Sequence, residues 1–194
     1  MKIFDNLLNK YNKGDYEYAS YDKKKTGIIT FILFILPIGL YITGYVTTGS
    51  NKNLLTVVAI LGMLPASRSL VSFIMKMKVK TAEPALRDKI NENIGETTGL
   101  YNIYLTSYDV NFYFDHMIIL SNSLICLSKS GKFDNKKFNE HLEKHMKLDG
   151  IKDIMIKVFS DEDAYVRRLK EINDSETIKG TNEQLYKLIC SISL

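Results

Sequence analysis

Residues 26–48 read TGIITFILFILPIGLYITGYVTT, a run of 23 residues without a charged side chain. An α-helix rises about 1.5 Å per residue, so this run would be about 34 Å long, slightly more than the roughly 30 Å hydrocarbon core of a bilayer. Uncharged runs of this length are uncommon in soluble domains, where they would have to form a buried helix. The stretch therefore predicts a first membrane-spanning helix over residues 26–48.

A second apolar run follows after a short polar turn at residues 49–53. Residues 54–75 read LLTVVAILGMLPASRSLVSFIM, 22 residues with a single charge, Arg68. A connection as short as this turn can only join antiparallel neighbours. The sequence therefore predicts a two-pass helical hairpin with both of its ends on the same side of a membrane.

Lysines on the flanks of the hairpin indicate which side that is. Residues 23–25 are all lysine, and Lys76, Lys78 and Lys80 follow the second run, whereas the turn holds only Lys52. Because flanking lysines and arginines favour the cytoplasmic side, we expect both termini in the cytoplasm and, in a bacterial cell, the inner membrane as the location. No apolar core of signal-peptide length precedes the first run, so we expect no cleaved export signal.

Arg68 is the unusual residue of the second span. It lies eight positions before Lys76, about 12 Å deeper along a helix axis, and a charge at such depth is costly. Either the side chain snorkels to the interface, or it pairs with a lipid headgroup or with an acidic residue of a partner, since neither span contains Asp or Glu. The expected partners are the lipid bilayer and a protein, which includes a second copy of this chain.

Nucleic acid is not an expected partner. The formal net charge is only +4, and much of it comes from the lysines beside the apolar runs, where anionic lipid headgroups are the natural counterpart.

The segment before the hairpin, residues 1–25, carries a short amphipathic stripe. Ile3, Phe4, Leu7 and Leu8 fall on one side of a helix, with lysines and acidic residues around them. The segment is predicted to be cytoplasmic, and it can lie on the membrane surface or pack on the domain that follows the hairpin.

Residues 81–194 show the alternating patterns of a small cytoplasmic α/β domain. Pro84 suits the first turn of a helix that Gly95 ends. The period then falls to two, because Val110, Phe112 and Phe114 alternate with other residues as in a half-buried strand. The fold class predicted for the whole chain is thus a membrane α-helical hairpin plus a small α/β domain.

The remaining elements of this domain follow from turn and cap signals. SNS at 121–123 is a turn, LICLS after it is a buried strand, and Asp134 is placed to cap the helix that follows. DIMIKVF at 153–159 is a fourth strand, and capping boxes that begin at Ser160 and Thr181 predict two more helices. The predicted order is α, β, β, β, α, β, α, α.

Residues 84–172 resemble the nuclease-related domain, a branch of the restriction-endonuclease-like fold. The residues that carry the resemblance are GE at 95–96, FDHMIILSNSLICLSK at 114–129 and the strand at 153–159. The resemblance implies a restriction-endonuclease-like sheet, in which a helix leads into a three-strand meander, followed by a further helix and a fourth strand.

The resemblance also implies a set of site residues. In that family, carboxylates hold a divalent metal ion that activates water, and a lysine helps to place the nucleophile or stabilise charge. Asp115 matches the metal-binding aspartate, Lys129 the lysine and Glu96 the glutamate of the first helix. Leu127 stands where the second carboxylate would be, and leucine supplies neither charge nor coordination. We therefore expect no ordinary nuclease activity and no cofactor.

The three histidines offer another candidate metal site. His141 and His145 are four residues apart on one helix face, and His116 is next to Asp115, so three histidines, or two histidines and an aspartate, could bind zinc. HLEKH has its glutamate in the wrong place for the zinc-protease helix, however, and histidines at this spacing are more often half-exposed surface residues. Metal binding is therefore not expected here.

The two cysteines do not predict a site. Cys126 and Cys190 have no metal-binding or redox spacing, and we expect two small buried thiols.

Together these features predict an integral membrane protein whose cytoplasmic domain is a membrane-held protein-interaction or assembly module, without catalytic activity. The alternative is a membrane-tethered, Mg²⁺-dependent nuclease-like enzyme that acts through Asp115, Glu96 and Lys129, with Asp109 or Asp134 in place of the missing carboxylate. The sequence has no Gly-rich phosphate-binding loop, no Gly-x-Ser-x-Gly elbow and no paired-cysteine motif.

Overall fold

The computed structural model describes residues 11–95, 97–107, 110–129, 133–174 and 180–194. The chain divides into two compact units. Residues Ser20–Lys78 form one of them, which we call the hairpin unit, and the residues on either side, Met1–Ala19 and Val79–Leu194, together form the other, which we call the sheet unit.

Two antiparallel helices make up the hairpin unit. Helix α1 is Tyr18–Thr48 and helix α2 is Leu54–Met77, and both are long and apolar enough to cross a membrane. The side chain of Asn53 caps α2 by accepting a 2.8 Å hydrogen bond from the Thr56 amide. Helix α1 begins eight residues before the predicted span, because the charged residues ahead of the apolar run are helical as well.

Small and polar side chains hold the two helices together. Ala66 is fully buried, and the Thr30 and Ser69 hydroxyls lie 2.7 Å apart. At the open end, Lys76 Nζ lies 2.7 Å from Asp22 Oδ2 and donates a 2.8 Å hydrogen bond to Thr26 Oγ1. Small residues allow the close approach, and the hydroxyl and ion-pair contacts fix the pairing.

The outer surface of the hairpin is apolar. Among the described residues, Leu148 and Met155 are the exposed large hydrophobic side chains outside it, while the hairpin exposes such side chains along its whole length, as at Val46 (76 %) and Leu54 (77 %). A continuous apolar surface of this size in a single chain marks a membrane or partner contact.

The sheet unit contains four strands and four helices in the described residues, in the order that the sequence predicts. Their bounds are α3 Pro84–Asn93, β1 Gly99–Thr106, β2 Asn111–Ile119, β3 Ser123–Leu127, α4 Asn135–Leu148, β4 Met155–Phe159, α5 Glu162–Asp174 and α6 Glu183–Ile192. The strand order is β1-β2-β3-β4, in which β1, β2 and β3 form an antiparallel meander and β4 pairs parallel to β3. Helix α4 is the crossover between those two parallel strands.

Two of the predicted helix caps are shifted by one residue. Asp134 caps α4 as predicted, by accepting hydrogen bonds from the amides of Lys136 and Lys137. The cap of α5 is Asp161 instead of Ser160, because its carboxylate reaches the Ala164 amide at 2.9 Å. In the same way Asn182, one residue after Thr181, caps α6.

A hydrophobic core covers each face of the sheet. On one face, side chains of α4 and α6 pack against β2 residues such as Phe112 and Phe114. On the other, α3 and α5 pack against Ile118, Ile125 and Leu127. Strand β3 is buried along almost all of its length. Such burial requires helices on both faces of the sheet, as found here.

The alternation of side chains slips by one residue in the middle of β1 and β2. Phe112 and Phe114 face the core under α4, but the next residue to face it is Met117. The register places Asn102 of β1 opposite Asp115, between the pairs Tyr101–His116 and Ile103–Phe114. Asn102 has a left-handed backbone, with φ 55°, which accounts for the slip.

The outer edge of β1 is covered by both ends of the described chain. The Tyr101 amide donates a 2.7 Å hydrogen bond to the Gly14 carbonyl, and the Leu194 amide donates a 2.9 Å hydrogen bond to the Tyr104 carbonyl. Residues 11–19 thus pack on the domain, which is one of the two positions predicted for the amphipathic segment. Its apolar stripe at residues 3–8 lies outside the described residues.

Candidate functional site

Asp115, the predicted remnant of a metal-binding aspartate, is enclosed where β2 slips. It is 7 % exposed, and its Oδ2 accepts a 2.8 Å hydrogen bond from the Lys129 backbone amide. The Tyr113 hydroxyl donates a 3.4 Å hydrogen bond to Asn102 Oδ1 and is also close to the Asp115 carboxylate. Burial raises the pKa of Asp115, and the interactions with Lys129 and Tyr113 offset only part of this effect. The carboxylate is therefore engaged with its own sheet.

The Lys129 side chain belongs to a cluster of opposite charges beside α3 and α5. Its Nζ lies 3.1 Å from Glu162 Oε2 and 3.7 Å from Glu83 Oε2, while Lys89 Nζ lies 2.7 Å from Glu162 Oε1. Hydrogen bonds from Lys89 and Lys129 lower the pKa of Glu162, and the hydrogen bond to Glu162 raises the pKa of Lys129. We call Glu83, Lys89, Lys129 and Glu162 the charged edge.

The described residues around Asp115 do not fit a magnesium ion. Leu127 is fully buried against α3 and α5, and both oxygens of Glu162, the carboxylate next to the Lys129 ammonium group, are paired with lysines. Asp134 is committed to capping α4, and Glu96 and Asp109 lie outside the described residues. Within the described ranges, no group of three or more His, Cys, Asp or Glu side chains is placed to hold a metal ion.

The three histidines considered as a candidate zinc site do not come together, because the slip in β2 turns His116 to the opposite face of the sheet. There its Nδ1 lies 2.7 Å from the Tyr165 hydroxyl and its ring lies over Tyr101. His141 and His145 are on α4, with ring centroids 4.8 Å apart, and His141 packs near Phe112 on the first face. The three imidazoles that could have shared a zinc ion are separated by the sheet.

His116 itself is buried completely. Its Nε2 has no hydrogen-bond partner among the described residues, and burial lowers its pKa to about 3. A Cβ at Gly99 would overlap that nitrogen, so glycine at this position leaves room for the imidazole. His116 is a neutral core histidine.

A shallow groove of about 410 Å³ lies on the α4 side of the sheet unit. Its lining is Ser107, Val110, Phe112, Lys137, Glu140, His141 and Lys144. It is on the other face of the sheet from the charged edge. Of the cysteines, Cys126 is buried in the core as predicted, and Cys190 is half-buried.

Arg68 is exposed on α2, and no described residue pairs with its guanidinium. It lies two residues after the buried Ala66, which places it about 200° around the helix, away from the contact with α1. The exposed Leu64 lies one turn earlier on the same outer face. Lys76, in contrast, has its charge matched by Asp22.

Asn102 is the buried polar residue that local sequence patterns did not single out. Its side chain is 6 % exposed and joins two segments that are far apart in sequence, through Tyr16 and Ala82. What distinguishes Asn102 is its left-handed backbone, which is unusual within a strand. The alternation of polar and apolar residues does not reveal backbone conformation, so the sequence pattern could not identify this residue.

Comparisons with known proteins give no relative. No family model, no curated protein and no solved structure matches the chain. The assignment of function therefore depends on the residues and their geometry.

Proposed function

We propose that this chain is a two-pass membrane protein, with both termini in the cytoplasm, whose sheet unit is a non-catalytic interaction or assembly module. Two helices long and apolar enough to span a bilayer, with an outer surface that is apolar along its length, support insertion. The enclosed Asp115 and the buried Leu127 support the absence of catalysis.

The observation that carries the proposal is the unpaired Arg68 on the outer face of an apolar helix. A guanidinium at bilayer depth needs an anion, and the acidic residue of the hairpin nearest to the open end, Asp22, is already paired with Lys76. Arg68 lies about 12 Å deeper than Lys76 along the helix axis, a long distance for one side chain to cover by snorkelling. The anion is a carboxylate on a helix of a protein partner, and the bilayer surrounds both.

Substitution of Arg68 tests this contact. The full chain is purified from its native membranes with its bound subunit. Arg68→Leu should insert normally, but the amount of subunit that co-purifies with it should fall at least tenfold, because the buried carboxylate of the partner loses its counter-charge. Arg68→Lys should keep part of the binding. Leu64→Ala changes the same face without changing charge and should have no effect.

Two results would contradict this. If Arg68→Leu retains the subunit at the wild-type level, the arginine interacts only with lipid. If Leu64→Ala removes the subunit as effectively as Arg68→Leu, the contact is apolar and the charge is incidental.

A nuclease-like enzyme is the second candidate, and one observation favours it. A meander of β1 to β3, a crossover helix and a parallel β4 is the order that the restriction-endonuclease-like resemblance implies, and it brings Lys129 beside Asp115 and Glu162. The engaged carboxylates argue against it. Magnesium-dependent cleavage of DNA or RNA by the purified chain, abolished by Asp115→Ala, would establish this alternative, and no cleavage would exclude it.

A further inference from the structure

The two chain segments that join the sheet unit to the hairpin meet at one side chain. Asn102 Nδ2 donates a 2.9 Å hydrogen bond to the Tyr16 carbonyl, just before the hairpin, and Asn102 Oδ1 accepts a 2.7 Å hydrogen bond from the Ala82 amide, just after it. The Tyr16 hydroxyl also donates a 2.7 Å hydrogen bond to the Ala82 carbonyl. The two flanking segments are thus bound to the sheet and to each other.

The residue type matches this double role. An amide side chain carries a donor and an acceptor on one carbon, so it can bind a carbonyl and an N–H at once. Asparagine is also the non-glycine residue that best tolerates a left-handed backbone, and Asn102 has φ 55°. The side-chain amide of Asn102 is buried, and both its N–H and its C=O are hydrogen-bonded. Removal of either partner would leave a buried polar group unsatisfied and lower the stability of the fold.

A short series of hydrogen bonds leads from this connector to the charged edge. The Tyr113 hydroxyl donates a 3.4 Å hydrogen bond to Asn102 Oδ1, and it is also close enough to the Asp115 carboxylate to lower the pKa of Asp115. Asp115 Oδ2 accepts from the Lys129 amide, and the Lys129 side chain is held by Glu162. Asn102 and Asp115 are opposite each other where both strands slip, so the register itself places the connector beside this route.

We propose that Asn102 is a clamp that couples the positions of the two flanking segments to the backbone at Lys129 and so to the charged edge. When the segments are held, the clamp keeps Tyr113, Asp115 and the Lys129 amide in place. When they separate, the Asp115 carboxylate loses its support and the charged edge rearranges. The coupling within the sheet unit does not depend on the proposed function. The proposal rests on that function only for the cause of the movement, which is a partner bound to the hairpin.

Residue-resolved amide hydrogen exchange of the full chain in detergent micelles tests the coupling without any partner. Asn102→Gly removes the side chain and accepts the left-handed backbone without strain. We expect exchange at least tenfold faster at the Ala82 amide, which loses its acceptor, and at the Lys129 amide, which Asn102 never touches. Asp153→Gly is the matched control, because Asp153 is exposed and has φ 59°. It should change neither amide.

Tyr113→Phe isolates the route between the clamp and Asp115. It should accelerate exchange at the Lys129 amide and leave the Ala82 amide protected, because Asn102 keeps both of its main contacts. If Asn102→Gly exposes Ala82 but leaves Lys129 as protected as in the wild type, the clamp is local and the proposal is wrong.

If Asn102→Gly unfolds the sheet unit, all of its amides exchange faster and this variant cannot test the coupling. Tyr113→Phe then provides the test. An unchanged Lys129 amide in Tyr113→Phe then overturns the coupling, and a selective loss of its protection supports it. The failure of partner binding by Arg68→Leu would leave both exchange results standing, so the two proposals fail separately.

Discussion

His116 makes the folded state sensitive to acid. The unfolded chain takes up a proton on this residue below its ordinary pKa of 6.5, whereas the folded chain does so only near 3, because burial lowers the pKa of His116. Between these values the unfolded state binds more protons. Its contribution to stability is therefore complete above pH 6.5 and falls as the pH falls towards 3.

His116→Asn should remove this sensitivity. The shorter amide can keep the contact with the Tyr165 hydroxyl but does not titrate, so the unfolding free energy should depend less on pH between 6.5 and 4. At neutral pH the variant should lose about 1–3 kcal/mol because the side chain is smaller than the space it leaves. Denaturant unfolding at several pH values measures both effects. Equal pH slopes for variant and wild type in this window would show that another group causes the acid sensitivity.

Asp115, the neighbour of His116, responds in the opposite sense. Its pKa is raised by burial, so the folded chain holds a proton on it at a pH where the unfolded chain has released it. This favours folding as the pH falls through the raised pKa of Asp115, and it partly offsets the effect of His116. The buried carboxylate accepts the Lys129 backbone amide, and this hydrogen bond joins β2 to the residue just after β3.

At the scale of elements, the caps can be tested one residue at a time. Asp161→Ala should reduce stability by about 0.5–2 kcal/mol, because the amides of the first turn of α5 lose their acceptor. Ser160→Ala should have almost no effect, although Ser160 is the cap that the sequence pattern predicts. A thermal or denaturant unfolding series on the two variants separates them. A larger loss for Ser160→Ala would mean that α5 begins one residue earlier than the structure has it.

Most of the elements in the sheet unit could be predicted from local signals. A short window of sequence contains the signals that start and end these elements, namely Pro84, Asp134 and the turn at 121–123. The order of helices and strands could be predicted from them. The exact caps of α5 and α6 did not, because serine, aspartate and asparagine compete for the same role at adjacent positions and local packing selects one.

The candidate site could not be predicted to the same extent. Simple alternation puts His116 on the face of Phe112 and Phe114, close to the histidines of α4, and the slip at Asn102 and Asp115 turns it away. A left-handed residue in a strand and hydrogen bonds to residues far apart in sequence are tertiary features. The adjacency of Asp115 and Lys129 was expected from the resemblance, whereas the approach of Lys89 and Lys129 to Glu162 depends on how α3 and α5 are placed, which no motif records.

At the scale of the whole molecule, the sheet unit draws on residues from both sides of the hairpin. Residues 11–19 cover β1 together with the end of the described chain, and Asn102 binds both segments that flank the hairpin. A domain appended after two spans would need only one of these segments. Binding both holds the two segments that flank the hairpin on the same strand of the sheet.

The mass of the protein in its native surroundings tests the central claim most directly. The wild-type chain is extracted from its membranes in mild detergent or in lipid nanodiscs, and native mass spectrometry compares its particle with the 22.2 kDa of one chain. We expect a defined complex with another membrane subunit that dissociates in Arg68→Leu. A wild-type chain that is monomeric throughout, and indistinguishable from Arg68→Leu, would contradict it.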